Sequence, residues 1–173
     1  MTPMSYHLAQ INVARLRAPI ADPVNRDFVD SVDRVNAVAE AQPGFVWRPV
    51  GDSGNAADIR VGDDPNLIVH ISVRTYLEAL AAFVYRTPAY REIMRRRREW
   101  FDRREVFMAL WWVPARHRPT VTEGMARLDR LARLGPTAEA LLCTRPFPAP
   151  DAPLVSPLLD QCAKSVVAVL RRR

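Results

Sequence analysis

The sequence predicts one α+β domain in which an antiparallel sheet carries helices, and three observations lead there. The length of 173 residues suits one core, with 49% hydrophobic and 25% charged residues as in an ordinary globular chain. Segments with an apolar period of two and segments with a period near 3.6 follow each other in the order β-α-β-β-α-β. The last strand of that series is apolar on both faces, so both must be covered.

Tyr6 to Val13 reads as the first strand, with Gln10 and Asn12 sharing one alternating face. Asp22 before Pro23 makes an N-cap and first-turn pair for a helix over about Val24 to Glu40, where Phe28, Val32, Val35 and Ala39 form a stripe. Pro43-Gly44 ends it. Phe45 to Val50 is a short strand, and Pro49, which lacks an amide donor, favours a sheet edge. Gly51 to Asp64 is rich in turn residues and reads as a loop or frayed hairpin.

Asn66 to Arg74 alternates, with Leu67, Val69, Ile71 and Val73 on one side and Ile68, His70, Ser72 and Arg74 on the other. Thr75-Tyr-Leu-Glu78 reads as a capping box that opens a helix to about Tyr85, and Thr87-Pro88 restarts a second helix carrying Tyr90, Ile93, Met94, Trp100 and Phe101. Val106 to Val113 is the fourth strand, with Phe107, Ala109, Trp111 and Val113 opposite Met108, Leu110 and Trp112. This split β-α-β order is the ferredoxin-like arrangement, a four-stranded antiparallel sheet with helices on one face. The other face is expected to meet a second copy, which would make a dimeric α/β barrel, or to enclose a ligand.

Thr120-Val-Thr-Glu123 is a further capping box, opening a helix through Met125, Leu128, Leu131 and Leu134 that closes at Gly135-Pro136. Ala138 to Arg145 can add an edge strand. Pro146 to Pro157, with five prolines, is expected to be extended, and Leu158 to Leu170 is expected to form a terminal helix. The expected division is a domain over residues 5–151 and a C-terminal extension over 152–173.

A formal charge of +6 raises a nucleic-acid reading. The arginines at Arg95 to Arg98, Arg103 and Arg104 lie among Glu92, Glu99, Asp102 and Glu105 at spacings that pair them on a helix, so a nucleic-acid partner is the least favoured. No run of about eighteen uncharged apolar residues occurs, and Met1 to Ala9 has no leader pattern, so no membrane partner and a cytoplasmic location are expected. Cys143 and Cys162 belong to no metal or disulfide spacing. His7, His70 and His117 have no metal-ligand spacing, and no metal is expected. Phosphate-binding glycine motifs, the GxSxG elbow and the HExxH helix are missing from the sequence.

Six ordered blocks carry a resemblance: His7-Leu-Ala-Gln-Ile-Asn12, Pro43-Gly-Phe-Val-Trp-Arg48, Ala82-Phe-Val-Tyr85, Arg97-Arg-Glu-Trp-Phe101, Leu110-Trp-Trp-Val-Pro114 and His117-Arg-Pro-Thr120. Over about Tyr6 to Asp151 the chain resembles the DUF3291 family, a domain of unknown function related to dimeric α/β-barrel proteins that include antibiotic-biosynthesis monooxygenases. Leu141-Leu-Cys-Thr144 is less aromatic than the family pattern, and the tail extends beyond its usual end.

Strand parity supplies a candidate site. If the Leu67–Val73 set packs on the helices, His70 and Ser72 face the barrel, as do Leu8, Gln10 and Asn12 of the neighbouring first strand. Gln10, Asn12, His70 and Ser72 then line one cavity, walled by Trp47 and one of Trp111 or Trp112, with Trp112 assigned to it. The same polar groups can instead hydrogen-bond across the sheet. Arg48 and Arg74 are further candidates, for an acidic or enolate oxygen.

The resemblance implies a monooxygenase-like enzyme of specialised metabolism acting on an apolar or aromatic substrate. His70 would be its catalytic base or an axial haem ligand, and Gln10 and Asn12 would position an oxygen. Haem and no cofactor at all are equally compatible with the sequence. The alternative is a non-catalytic binding protein for a hydrophobic small molecule or haem.

Overall fold

The computed structural model describes residues 6–51, 59, 61–103 and 107–152. Among them, strands β1 (Tyr6–Arg15), β2 (Phe45–Trp47), β3 (Leu67–Arg74) and β4 (Met108–Pro114) form one antiparallel sheet in the order β2-β3-β1-β4. The helices are α1 (Arg26–Glu40), α2 (Leu77–Arg86), α3 (Pro88–Trp100) and α4 (Val121–Leu134). The split β-α-β order and the ferredoxin-like strand order are those expected. The expected terminal helix and Cys162 lie outside the described residues, as does most of the loop expected over Gly51 to Asp64.

Local chemistry explains most boundaries. The Asp22 carboxylate accepts from the Val24 amide at 2.9 Å, and Pro23 opens a 3₁₀ turn that leads into α1. Pro88 sits in the first turn of α3, where its missing N–H is harmless. β2 stops at Trp47, two residues before Pro49, with a register shift between Phe45 and Trp47.

The capping box expected at Thr75 does not form: α2 begins at Leu77 without a side-chain cap. The Thr75 hydroxyl and amide instead both donate to the Gly44 carbonyl, at 3.5 and 2.8 Å, tying the start of α2 to the turn before β2. The box at Thr120 forms by half. Its hydroxyl accepts from the Glu123 amide at 3.1 Å, but the Glu123 carboxylate turns to other partners.

Helices cover both faces of the sheet, which corrects the expectation of a single covered side. Ala9, Ile11, Val13, Val69, Ile71, Val73, Ala109 and Trp111 fill one face, and α4 covers it through Leu128 and Leu131. Gly124 permits the approach, since a Cβ there would lie 2.6 Å from Ile11 Cδ1. The opposite face carries Leu8 and Leu110 under Leu77 and Leu80 of α2. Helix α3 packs on α2 and on α1, where Phe28 meets Trp100 and Phe101. Beside β4, the segment expected as an edge strand contributes one bridge, with Leu110 and Leu141 exchanging two backbone hydrogen bonds. The leucine stripe of α4 is visible in the sequence; which face it takes depends on the chain's path after Pro114.

Candidate functional site

Antiparallel pairing of β1 and β3 sets Gln10 opposite Ser72 and Asn12 opposite His70, so four of the expected residues meet on one face. That face lies under α2, opposite to the one assigned from parity. The expectation seated the Leu67–Val73 set against the first helices, whereas α4 takes that set and the polar row goes beneath α2.

Ser72 and Gln10 are buried, and the Ser72 hydroxyl donates to Gln10 Oε1 at 3.4 Å. The Gln10 amide nitrogen reaches the Met108 sulfur at 3.5 Å, a weak acceptor. Trp112 shares this face at its Leu8 end, half-buried, its indole N–H donating to the Phe147 carbonyl at 2.9 Å. Trp47 does not join them. It packs with the α4-covered core on the other face, where the Arg118 guanidinium lies 5.7 Å from its ring centroid.

Two arginines surround the polar row. Arg48 is nearly buried and pairs with Glu40 at 2.5 Å. Arg74, on β3 with the parity of His70 and Ser72, is 3% exposed, and its guanidinium carbon lies 4.7 Å from the Phe83 ring centroid and 5.8 Å from that of Phe45. Its Nε and Nη1 have no hydrogen-bond partner. Burial lowers the Arg74 pKa to about 10, which leaves it charged at neutral pH. The Tyr90 ring of α3 meets that of Phe83 at a tilt of 51°, centroids 4.9 Å apart, and burial pushes its phenol up to about 12.

His70 is half-buried, and its pKa falls to about 4 through burial first and then the positive charges of Arg48 and Arg74. Its imidazole is therefore neutral at physiological pH. In the unfolded chain His70 takes up its proton near 6.5, so between those values the unfolded state binds more protons. Stability should accordingly fall by about 2 kcal/mol as pH drops from about 6.5 to 4, allowing for solvent at the exposed edge of the ring. Denaturant titrations of wild type and His70→Gln over that range check it: the variant should lose the slope.

A second polar cluster, on the α4 side, was not foreseen. The buried Trp111 donates its indole N–H to Glu123 Oε1 at 2.8 Å, and His117 Nε2 lies 2.7 Å from Glu123 Oε2. Burial alone would raise the Glu123 pKa, but the hydrogen bonds from His117 and Trp111 outweigh it and the group stays below its ordinary range. The signal was present as the parity of Trp111 together with a capping-box glutamate. His7 also lies on the α4 side of β1, away from His70, so the histidines do not converge. Among the described residues no group of three or more His, Cys, Asp or Glu is placed to hold a metal ion.

A surface groove lies elsewhere among the described residues, between α1 and α3, with a volume of about 330 Å³ and a lining that includes Asp27, Asp30, Arg34, Glu92 and Arg96. Its charges are largely matched, since Arg96 pairs with Asp27 and Glu99, and Arg95 with Glu92. No described helix is long and apolar enough to cross a membrane.

The model of DUF3291, a domain of unknown function, matches residues 7–156. The chain belongs to this family. No curated protein matches the DUF3291 chain. Among solved structures it is similar to a cofactor-independent oxygenase from Streptomyces nogalater, SnoaB, at 19% identity over 69% of this chain and 100% of that one, with a TM-score of 0.44. It is also similar to a Pseudomonas aeruginosa protein at 14% identity over 68% and 98%, with a TM-score of 0.45. A candidate antibiotic-biosynthesis monooxygenase from Nitrosomonas europaea matches at 12% identity over 69% and 99%, with a TM-score of 0.46. At these identities the likeness concerns the shape of the chain and not its chemistry.

Proposed function

We propose that this DUF3291 protein is a cytoplasmic, oxygenase-like enzyme of specialised metabolism that holds an apolar or aromatic substrate against the β1–β3 face beneath α2. One observation supports the reading above others: His70 is kept neutral, with its pKa near 4, by burial and by two arginines, directly across from Asn12. A neutral imidazole can accept a proton, and a field that disfavours imidazolium favours a substrate anion. His70 is the base, and Gln10, Asn12 and Ser72 orient the substrate. Dioxygen is the oxidant: one oxygen atom enters the substrate, and the other leaves as water with the two hydrogens removed. A homodimer through the sheet face belongs to the same proposal and requires α4 to lie between the two sheets or to move aside.

A non-catalytic binding protein is the second reading. The Gln10–Ser72 hydrogen bond favours it, since the two polar side chains already satisfy each other. Oxygen uptake with activated phenols separates the two. The enzyme reading expects turnover that falls at least about a hundredfold in His70→Ala, with ligand affinity kept within several-fold. Binding without oxygen uptake in the wild type would favour the second reading. A neutral imidazole is also the form that ligates iron, so a haem held by His70 would show a Soret band that His70→Ala removes.

A further inference from the structure

We infer that Arg74 is an anion anchor, holding the carboxylate or enolate of a small aromatic ligand between β3 and the α2–α3 pair. The inference deepens the proposed function and rests on its placing of a ligand on this face; it adds the ligand's charge and the residue that reads it.

Arg74 is 3% exposed, yet two of its three guanidinium nitrogens have no partner. A buried guanidinium is ordinarily held by a carboxylate or by carbonyl oxygens, because stranded N–H groups are costly to bury. Here the neighbours are rings. Phe83 and Phe45 attract the cation through their faces, and Tyr90 backs Phe83. Ring faces leave the N–H groups in the guanidinium plane without acceptors. A planar oxyanion in that plane would take two parallel hydrogen bonds, one from Nη2 and one from either Nε or Nη1, the geometry that arginine offers and lysine does not.

Nearby charge points the same way. The other arginine that acts on His70, Arg48, already has Glu40. Beside Arg74 the aromatic walls match the flat body of an aryl acid better than a hydrated inorganic ion.

The test uses full-length protein labelled with nitrogen-15 arginine. The Arg74 Nε–H resonance is assigned by its loss in Arg74→Lys or, should that variant not fold, by the ring-current change in Phe83→Leu. Benzoate, neutral benzamide and inorganic phosphate are titrated in parallel. Benzoate should move the Arg74 resonance saturably, with benzamide at least about tenfold weaker and phosphate without effect. In Arg74→Lys, benzoate affinity should fall at least about tenfold. A resonance that ignores benzoate, or responds equally to benzamide or phosphate, would overturn the proposal and leave Arg74 a purely structural cation. Because the readout needs no turnover, its failure is distinguishable from a failed oxygen-uptake assay on His70.

Discussion

Replacing Trp111 by alanine should destabilise the protein by about 4 kcal/mol, within the range for buried aromatics cut back to a methyl group. Trp111 is 1% exposed at the centre of the β4 edge of the core, paired with Ala9 and packed beneath α4. The substitution opens a cavity between a sheet and a helix, neither of which can easily collapse into it. It also takes the indole N–H from Glu123, which must then rely on His117. Thermal unfolding should show a midpoint lowered by about 8 to 15 °C. Trp111→Phe, which keeps most of the volume and loses the hydrogen bond, should cost only about 1 to 2 kcal/mol. Equal effects from the two would mean that the ring fills no core.

Gly44→Ala should cost about 3 kcal/mol, from two sources that controls can separate. Gly44 has φ of +85°, where an L side chain costs roughly 1 to 2 kcal/mol. A Cβ there would also sit 2.6 Å from Ala79 Cβ and 2.9 Å from Thr75 Oγ1, and the Ala79 carbon is fixed to the backbone of α2. Gly62 supplies the comparison, with φ of +65° and nothing within 4 Å of where a Cβ would lie, so Gly62→Ala should cost only about 1 kcal/mol. Pairing Gly44→Ala with Ala79→Gly should recover part of the loss. Chemical denaturation of the three variants decides it, and a Gly44 effect no larger than that of Gly62 would rule out the close approach.

The sequence made the strand order legible because each strand differs in kind. Alternation at Leu67 to Arg74, the doubly apolar Met108 to Val113 and the proline-limited Phe45 to Trp47 leave few ways to pair them. Parity also grouped Gln10, Asn12, His70 and Ser72 correctly, since a one-residue slip would reverse every side chain. Parity does not say which face a helix will take. That is decided by crossovers and by the late arrival of α4, so the polar row was placed on the wrong side and Trp47 was grouped with it across the register shift in β2. The Thr75 capping box failed for a related reason, because Thr75 is tied to the Gly44 carbonyl through its amide and hydroxyl and the helix starts one residue later, with Tyr76 at the N-cap. Arg74 could be named from its position but not weighed, since its lack of a partner is a property of packing.

The placement of α4 has a consequence for how the chain matures. Residues Ala9, Ile11 and Val13 are made more than a hundred residues ahead of their cover, Leu128 and Leu131. Until α4 emerges, the nascent chain presents an oily sheet surface to its surroundings, and loop closure across that separation is slow. A ribosome-bound or prematurely ended chain is thus the form most in need of a chaperone, and most prone to clump with its own kind.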